Sequence, residues 1–288
     1  MPNMPMKLID CPRDAMQGLT HFVPTELKIR YLNALLRVGF DTLDFGSFVS
    51  PKAVPQLADT ADVLAGLDLS ATSTKLLAIV ANVRGAETAV AQPAIRYVGF
   101  PLSVSETFQQ RNTNKSIAQA FAEVALLQKL CAETGKTLVV YLSMGFGNPY
   151  GDPYSPAVVG EFTDRLVDLG VSIIAPSDTV GTSTPDGIET LFRHLIDRFP
   201  AVAFGAHLHA RPDDVPAKVR ACLRAGVGRI DGALRGYGGC PMATDTLTGN
   251  LPTEAIIQLL RTENVAPALD DAALADALHV SAEVFMTR

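Results

Sequence analysis

Leu138-Val139-Val140-Tyr141-Leu142-Ser143, an amphipathic segment from Ala157 to Asp168, a glycine at Gly170 and then Ile173-Ile174-Ala175-Pro176 read as one strand–helix–strand unit. The first run is apolar on consecutive residues, as a parallel strand covered on both faces should be. Gly170, following Leu169, can take the left-handed conformation that ends a helix. The same unit recurs in both directions along the chain. Candidate strands lie at Leu8 to Cys11, Thr42 to Phe45, Leu76 to Val80, Tyr97 to Phe100, Ala203 to His207 and Arg229 to Gly232. Helical patterns run over Glu26 to Arg37, Ser116 to Glu133, Gly187 to Arg198 and Pro216 to Ala225, with further capping glycines at Gly39, Gly135 and Gly226. Eight such repeats predict an α/β fold, a (β/α)8 TIM barrel formed as a single domain over residues 6–265. Residues 266–288 are expected to add a C-terminal helix, Asp271 to Met286, packed outside the barrel or on a neighbouring subunit. A doubly wound open sheet carries the same local signals. The absence of a GxGxxG or phosphate-binding loop after the first strand weakens a nucleotide-binding sheet.

The chain of 288 residues is 48% hydrophobic with no tryptophan, enough for the about 250 residues of such a barrel. A net charge of −6 without any dense Lys/Arg run argues against nucleic acid as a partner. No apolar stretch approaches the roughly 20 residues that span a bilayer, so no membrane association is expected. Met1 to Lys7 lacks the pattern of a signal peptide. Cys11, Cys131, Cys222 and Cys240 are widely spaced with no CxxC pair, which suits free thiols and a cytoplasmic location.

Catalytic groups of a barrel gather at the C-terminal ends of its strands. Those ends carry Cys11-Pro12-Arg13-Asp14, Asp44-Phe45-Gly46-Ser47, Asn82 and Arg84, Tyr141 and Ser143, Ser177-Asp178-Thr179, His207 and His209, and Arg235 to Pro241. Alternate strand residues share a face, so His207 and His209 present two imidazoles together, like half of a divalent metal site. A hydrogen-bonded polar strand end is the other reading. A hard cation held by Asp14 and the two imidazoles would keep open positions for a chelating substrate, and Arg13 could hold a developing oxyanion. Asp44, Asp178 and Asn82 can equally be helix caps or structural partners of loop amides. Cys240, in Gly-Gly-Cys-Pro, reads either as an inert small hydrophobe or as an acid/base thiol on a closing loop.

Taken together, these residues resemble the 3-hydroxy-3-methylglutaryl-CoA lyase family, metallolyases related to Claisen-type synthases on (β/α)8 barrels. The likeness runs from about Ile9 to Leu260. It rests on Pro12-Arg13-Asp14, Ser47-Phe48-Val49-Ser50-Pro51-Lys52, Ser177-Asp178-Thr179-Val180-Gly181, His207-Leu208-His209, Gly238-Gly239-Cys240-Pro241 and Gly249-Asn250-Leu251 with Thr253-Glu254. The resemblance implies a cation, Mg2+ or Mn2+, on Asp14, His207, His209 and Asn250. It further implies Arg13 at the enolate oxygen, Cys240 and His207 as proton-transfer groups, and Asp44 where the family has Glu. Gln17, Asn82, Tyr141, Ser143, Asp178 and Thr179 are the expected substrate contacts.

The implied activity is that of a carbon–carbon lyase, cleaving 3-hydroxy-3-methylglutaryl-CoA to acetyl-CoA and acetoacetate. Leucine breakdown and ketone-body formation are both pathways open to it. A homo-oligomer, dimer or tetramer, acting on a small acyl-CoA is expected. The chain departs from the family at Ala15-Met16-Gln17-Gly18, where Gly-Leu-Gln-Asn is usual, and at Ala210-Arg211 in place of Asp-Thr. It also carries one extra residue between Cys240 and Asn250. These departures sit at the substrate mouth and leave open a related lyase or aldolase acting on another 3-hydroxyacyl-CoA or 2-oxo acid. A non-catalytic metal-binding barrel is the reading from a different class.

Overall fold

The computed structural model describes residues 6–239 and 248–285. Eight strands, β1 (Lys7–Asp10), β2 (Thr42–Ser47), β3 (Lys75–Ile79), β4 (Ile95–Ser103), β5 (Thr137–Ser143), β6 (Ile173–Asp178), β7 (Ala203–Leu208) and β8 (Arg229–Gly232), pair in chain order into a closed parallel barrel. Closure is made by β1 on β8, from Lys7 opposite Arg229 to Asp10 opposite Gly232. That pairing excludes the open doubly wound sheet. The α-helices among the described residues are α1 (Pro12–Gln17), α2 (Thr25–Leu36), α3 (Thr60–Ala65), α4 (Val83–Val90), α5 (Glu106–Thr113), α6 (Ile117–Glu133), α7 (Pro156–Asp168), α8 (Pro185–Arg198), α9 (Val215–Ala225), α10 (Thr253–Thr262) and α11 (Asp271–Phe285).

The consecutive apolar residues of each strand divide between two layers. Leu8, Leu43, Val98, Val140 and Phe204 point outward and pack with helix residues such as Tyr31, Leu35, Phe121, Leu191 and Val219. Their neighbours Leu77, Ile79, Tyr97, Val139, Tyr141, Ile173 and Ala175 fill the lumen. The expected β4 stopped at Phe100, before a proline that cannot donate to a ladder. The strand nonetheless continues through Pro101 to Ser103 in register with Tyr141 to Ser143 of β5.

A bulge in β2 places two polar groups in the lumen. Asp44 lies opposite Leu77, but the register then shifts so that Gly46 meets Ala78 and Ser47 meets Ile79. Phe45 is the extra residue of this bulge. Both Asp44 and Ser47 therefore sit beside lumen residues, three positions apart instead of two. Gly46 turns outward, where a Cβ would come within 2.6 Å of Thr60 Cγ2.

The C-terminal helix α11 lies on its own barrel, against α2. The Phe285 ring meets Tyr31 edge-on at 6.0 Å and stacks on Tyr237 at 4.4 Å. No helix among the described residues is long and apolar enough to cross a membrane.

Candidate active site

The C-terminal mouth of the barrel encloses a cavity of about 230 Å3 with two unlike walls. Arg13, Asp14, Gln17, Ser177, Thr179, His207 and His209 make the polar side. Val49, Val54, Ile79, Pro101 and Phe108 make much of the other, and Tyr141 and Ser143 also line the space.

The short helix α1 follows β1 immediately, with Pro12 at its start, where a missing N–H costs nothing. It delivers Arg13, Asp14 and Gln17 into one buried network. Arg13 Nε and Nη2 donate to the Asp44 carboxylate at 3.0 and 2.5 Å, and Nη1 donates to Asp14 Oδ1 and Gln17 Oε1, each at 3.0 Å. A guanidinium has five N–H donors, and these bonds engage all but one, on Nη2. Burial pushes the Asp44 carboxyl up while Arg13 pulls against it. The guanidinium itself stays charged between its two carboxylates. Asp14 is also buried, which disfavours its charge, yet Arg13, the two imidazoles and a hydrogen bond from Asn250 hold its carboxyl at about 2.

The imidazoles are fixed by different partners. His207 Nδ1 lies 3.0 Å from Asp231 Oδ2, on the neighbouring strand one step beyond the Ala206–Ile230 pair. Burial works against the charged His207 ring, but that bond and the Asp231 charge raise its pKa. His209 Nδ1 lies 3.1 Å from the carbonyl oxygen of Thr179, which can only accept. Nδ1 therefore carries the proton and Nε2 the lone pair. Burial, then the neighbouring His207, push the His209 pKa down and keep the ring neutral. Its Nε2 is buried with no hydrogen-bond partner among the described residues.

A lone-pair nitrogen left bare inside a polar wall is what a metal ligand looks like before its metal. Asp14, His207 and His209 offer ligand atoms that all lie within 4.8 Å of one another. Asn250 joins them, its Nδ2 donating to Asp14 Oδ2 at 2.7 Å and to the Tyr237 carbonyl at 2.9 Å. Carboxylate, amide oxygen and two imidazoles suit a hard or borderline divalent cation. A second grouping, Cys11 with His207 and Asp231, is equally compact. Burial and the nearby carboxylates push the Cys11 thiol well above its ordinary pKa, and a protonated thiol is a poor ligand.

Gly238, at φ +97°, presses against this cluster. A Cβ there would stand 2.6 Å from Asn250 Nδ2 and 2.9 Å from the Asp14 carbonyl oxygen. Gly238→Ala is expected to displace Asn250 and to weaken Mn2+ binding by about tenfold or more, the scale of losing an oriented partner at a metal site. Calorimetric titration with Mn2+ checks this, and unchanged affinity would contradict the placement of Asn250.

Two expected substrate residues are not brought to the cavity. Asn82 is exposed and caps α4, its side-chain oxygen accepting from Gly85 N at 2.9 Å. The Asp178 carboxylate is consumed by the loop behind the site. It accepts from Thr182 N, Ser183 N, Ser183 Oγ and Lys218 Nζ at 2.5 to 3.0 Å. For both residues the structural reading of a cap or loop partner applies. Gln17, Tyr141, Ser143 and Thr179 do line the cavity, with the Tyr141 ring edge-on to His207 at 5.5 Å. Cys240 lies outside the described residues. Sequence reasoning missed Asp231 and Lys218. A carboxylate inside a strand that must be buried, and a lysine on the inner stripe of a helix, were the available signals.

An HMGL-like family model matches residues 6–280 of the chain. The mitochondrial hydroxymethylglutaryl-CoA lyase of Mus musculus is 34% identical over 249 residues, covering 86% of this chain and 76% of that protein. The crystal structure of an HMG-CoA lyase from Brucella melitensis superposes with a TM-score of 0.91 at 28% identity, over 99% of this chain and 100% of that one. The HMG-CoA lyase from Acinetobacter baumannii, in complex with coenzyme A and 3-methylmalate, gives 0.90 at 26% identity, over 99% and 92%.

Proposed function

This chain belongs to the HMGL-like family, and from that premise we propose that it is a divalent-cation-dependent carbon–carbon lyase that cleaves 3-hydroxy-3-methylglutaryl-CoA to acetyl-CoA and acetoacetate. The observation that carries the reading is the meeting of Asp14, His207 and His209 within 4.8 Å, beside a buried guanidinium with one donor left.

Asp14, His207, His209 and Asn250 would hold the cation. When bound, it supplies a Lewis acid for the substrate's tertiary hydroxyl. The hydroxyl proton passes to the Cys240 thiolate, and the oxygen's electron pair forms the ketone of acetoacetate as the carbon–carbon bond breaks. The electrons of that bond pass to the thioester enolate. Arg13 donates its remaining N–H to the enolate oxygen, and Asp44 and Asp14 keep the guanidinium from turning toward any other acceptor. A proton then returns to the enolate carbon and gives acetyl-CoA. His207 has its Nδ1 on Asp231, and the ring is also counted among the ligands of the cation site. The proton is therefore assigned to Cys240, as the family resemblance has it. The reading also carries Mg2+ or Mn2+ as the cation, a homo-oligomer and a cytoplasmic location.

Incubation of the Mg2+-loaded protein with 3-hydroxy-3-methylglutaryl-CoA tests the substrate directly. Equimolar acetoacetate and acetyl-CoA are expected. Absence of cleavage of this thioester, with turnover of another 3-hydroxyacyl-CoA, would reassign the acyl group and keep the reaction class.

A further inference from the structure

Lys218 lies on α9, outside the barrel wall, yet only 2% of it is exposed. Its ammonium reaches three separate places. Nζ donates to Asp178 Oδ2 at the end of β6 (2.9 Å), to the Gly181 carbonyl in the loop that follows (3.2 Å) and to the His209 carbonyl just beyond β7 (2.8 Å). An ammonium has three donors, so every one is engaged. Burying an ammonium with a carboxylate brings little net stability, because desolvation offsets their attraction. The value of such a pair lies in the geometry it fixes.

That geometry concerns His209. The residue lies past the last residue of β7, where the ladder to β8 has ended and a single antiparallel bridge to Asn250 is the backbone pairing that remains. Its ring is oriented by the Thr179 carbonyl, and Thr179 belongs to the same Asp178–Gly181 segment that Lys218 grips. One side chain thus ties down both the backbone of His209 and the segment whose carbonyl aims its ring. Lys218, Asp178 and Gly181 themselves do not line the cavity.

We propose that Lys218 is a positioning residue of the cation site, holding His209 so that its Nε2 points at Asp14 and His207. This rests on the cation-site reading above. Lys218→Met alone strands the buried Asp178 carboxylate and endangers folding. Lys218→Met/Asp178→Asn leaves no unpaired charge and keeps one acceptor oxygen, enough for the Ser183 amide and hydroxyl but not for the Thr182 amide as well. Free Mn2+ is titrated by electron paramagnetic resonance against the wild-type protein and this double variant, with thermal melting of both recorded alongside. The double variant is expected to melt cooperatively and to bind Mn2+ about 10- to 100-fold more weakly, the range for loss of a group that orients a ligand. A purely structural Lys218 would shift the melting temperature and leave the Mn2+ dissociation constant unchanged, which would overturn the proposal alone. Failure of the wild-type protein to bind Mn2+ would overturn the cation-site reading and this proposal with it.

Discussion

Arg13→Lys is expected to lower kcat on 3-hydroxy-3-methylglutaryl-CoA by about 10²- to 10³-fold, the scale of losing one oriented donor to a developing oxyanion. The guanidinium is a planar fork held in place by Asp44 on one edge and by Asp14 and Gln17 on the other. Its remaining N–H has a direction because the others are engaged. A lysine ammonium can approach one or two of these acceptors as a point charge, but it cannot bridge both carboxylates and still aim a donor at the cavity. The charge is retained, so Mn2+ affinity should move far less than kcat. Steady-state kinetics at saturating Mg2+, with the Mn2+ dissociation constant measured in parallel, separates the two quantities. Near wild-type turnover in Arg13→Lys would remove Arg13 from the reaction.

Asp14→Asn should strike the other quantity. Asp14 is the one charged ligand of the proposed set, held ionised at a pKa of about 2 although buried. Its oxygens already accept from Arg13, Gln17 and Asn250, so an amide at this position would set N–H against N–H. Cation affinity is expected to fall by more than the ~100-fold upper range for a group that only orients a ligand. Mn2+ that binds the folded state alone should raise the melting temperature of the wild-type protein by mass action, and leave that of Asp14→Asn unmoved. An equal upward shift in both proteins would place the cation elsewhere.

What the sequence disclosed, and what it hid, follows from how far each signal reaches along the chain. β5, β6 and β7 were legible because a parallel strand buried on both faces writes consecutive apolar residues. His207 and His209 were legible because a period of two puts them on one side. Asp14 and Arg13 were legible from their place at the end of β1. The supports of those residues were not. Asp231 stands beside His207 only through the β7–β8 register, and Lys218 meets Asp178 across 40 positions of sequence. Asp178 and Asn82 stood at the right strand ends but turned away from the cavity, one to the Lys218 ammonium and one to the start of α4. A polar residue at a strand end is placed near the mouth by topology. Whether it faces inward depends on partners that only the folded chain brings near. The apolar wall of Val49, Val54, Pro101 and Phe108 was hidden for the same reason, since its residues come from the loop after β2, the end of β4 and helix α5.

The most direct test of cation-dependent cleavage at this site is a single assay on chelator-treated protein. It is incubated with 3-hydroxy-3-methylglutaryl-CoA, first without added metal and then with Mg2+ or Mn2+, while acetoacetate is measured. The account predicts no acetoacetate from the stripped protein and full release once either ion is restored. Equal release with and without the ion, from protein shown by elemental analysis to be metal-free, would contradict it.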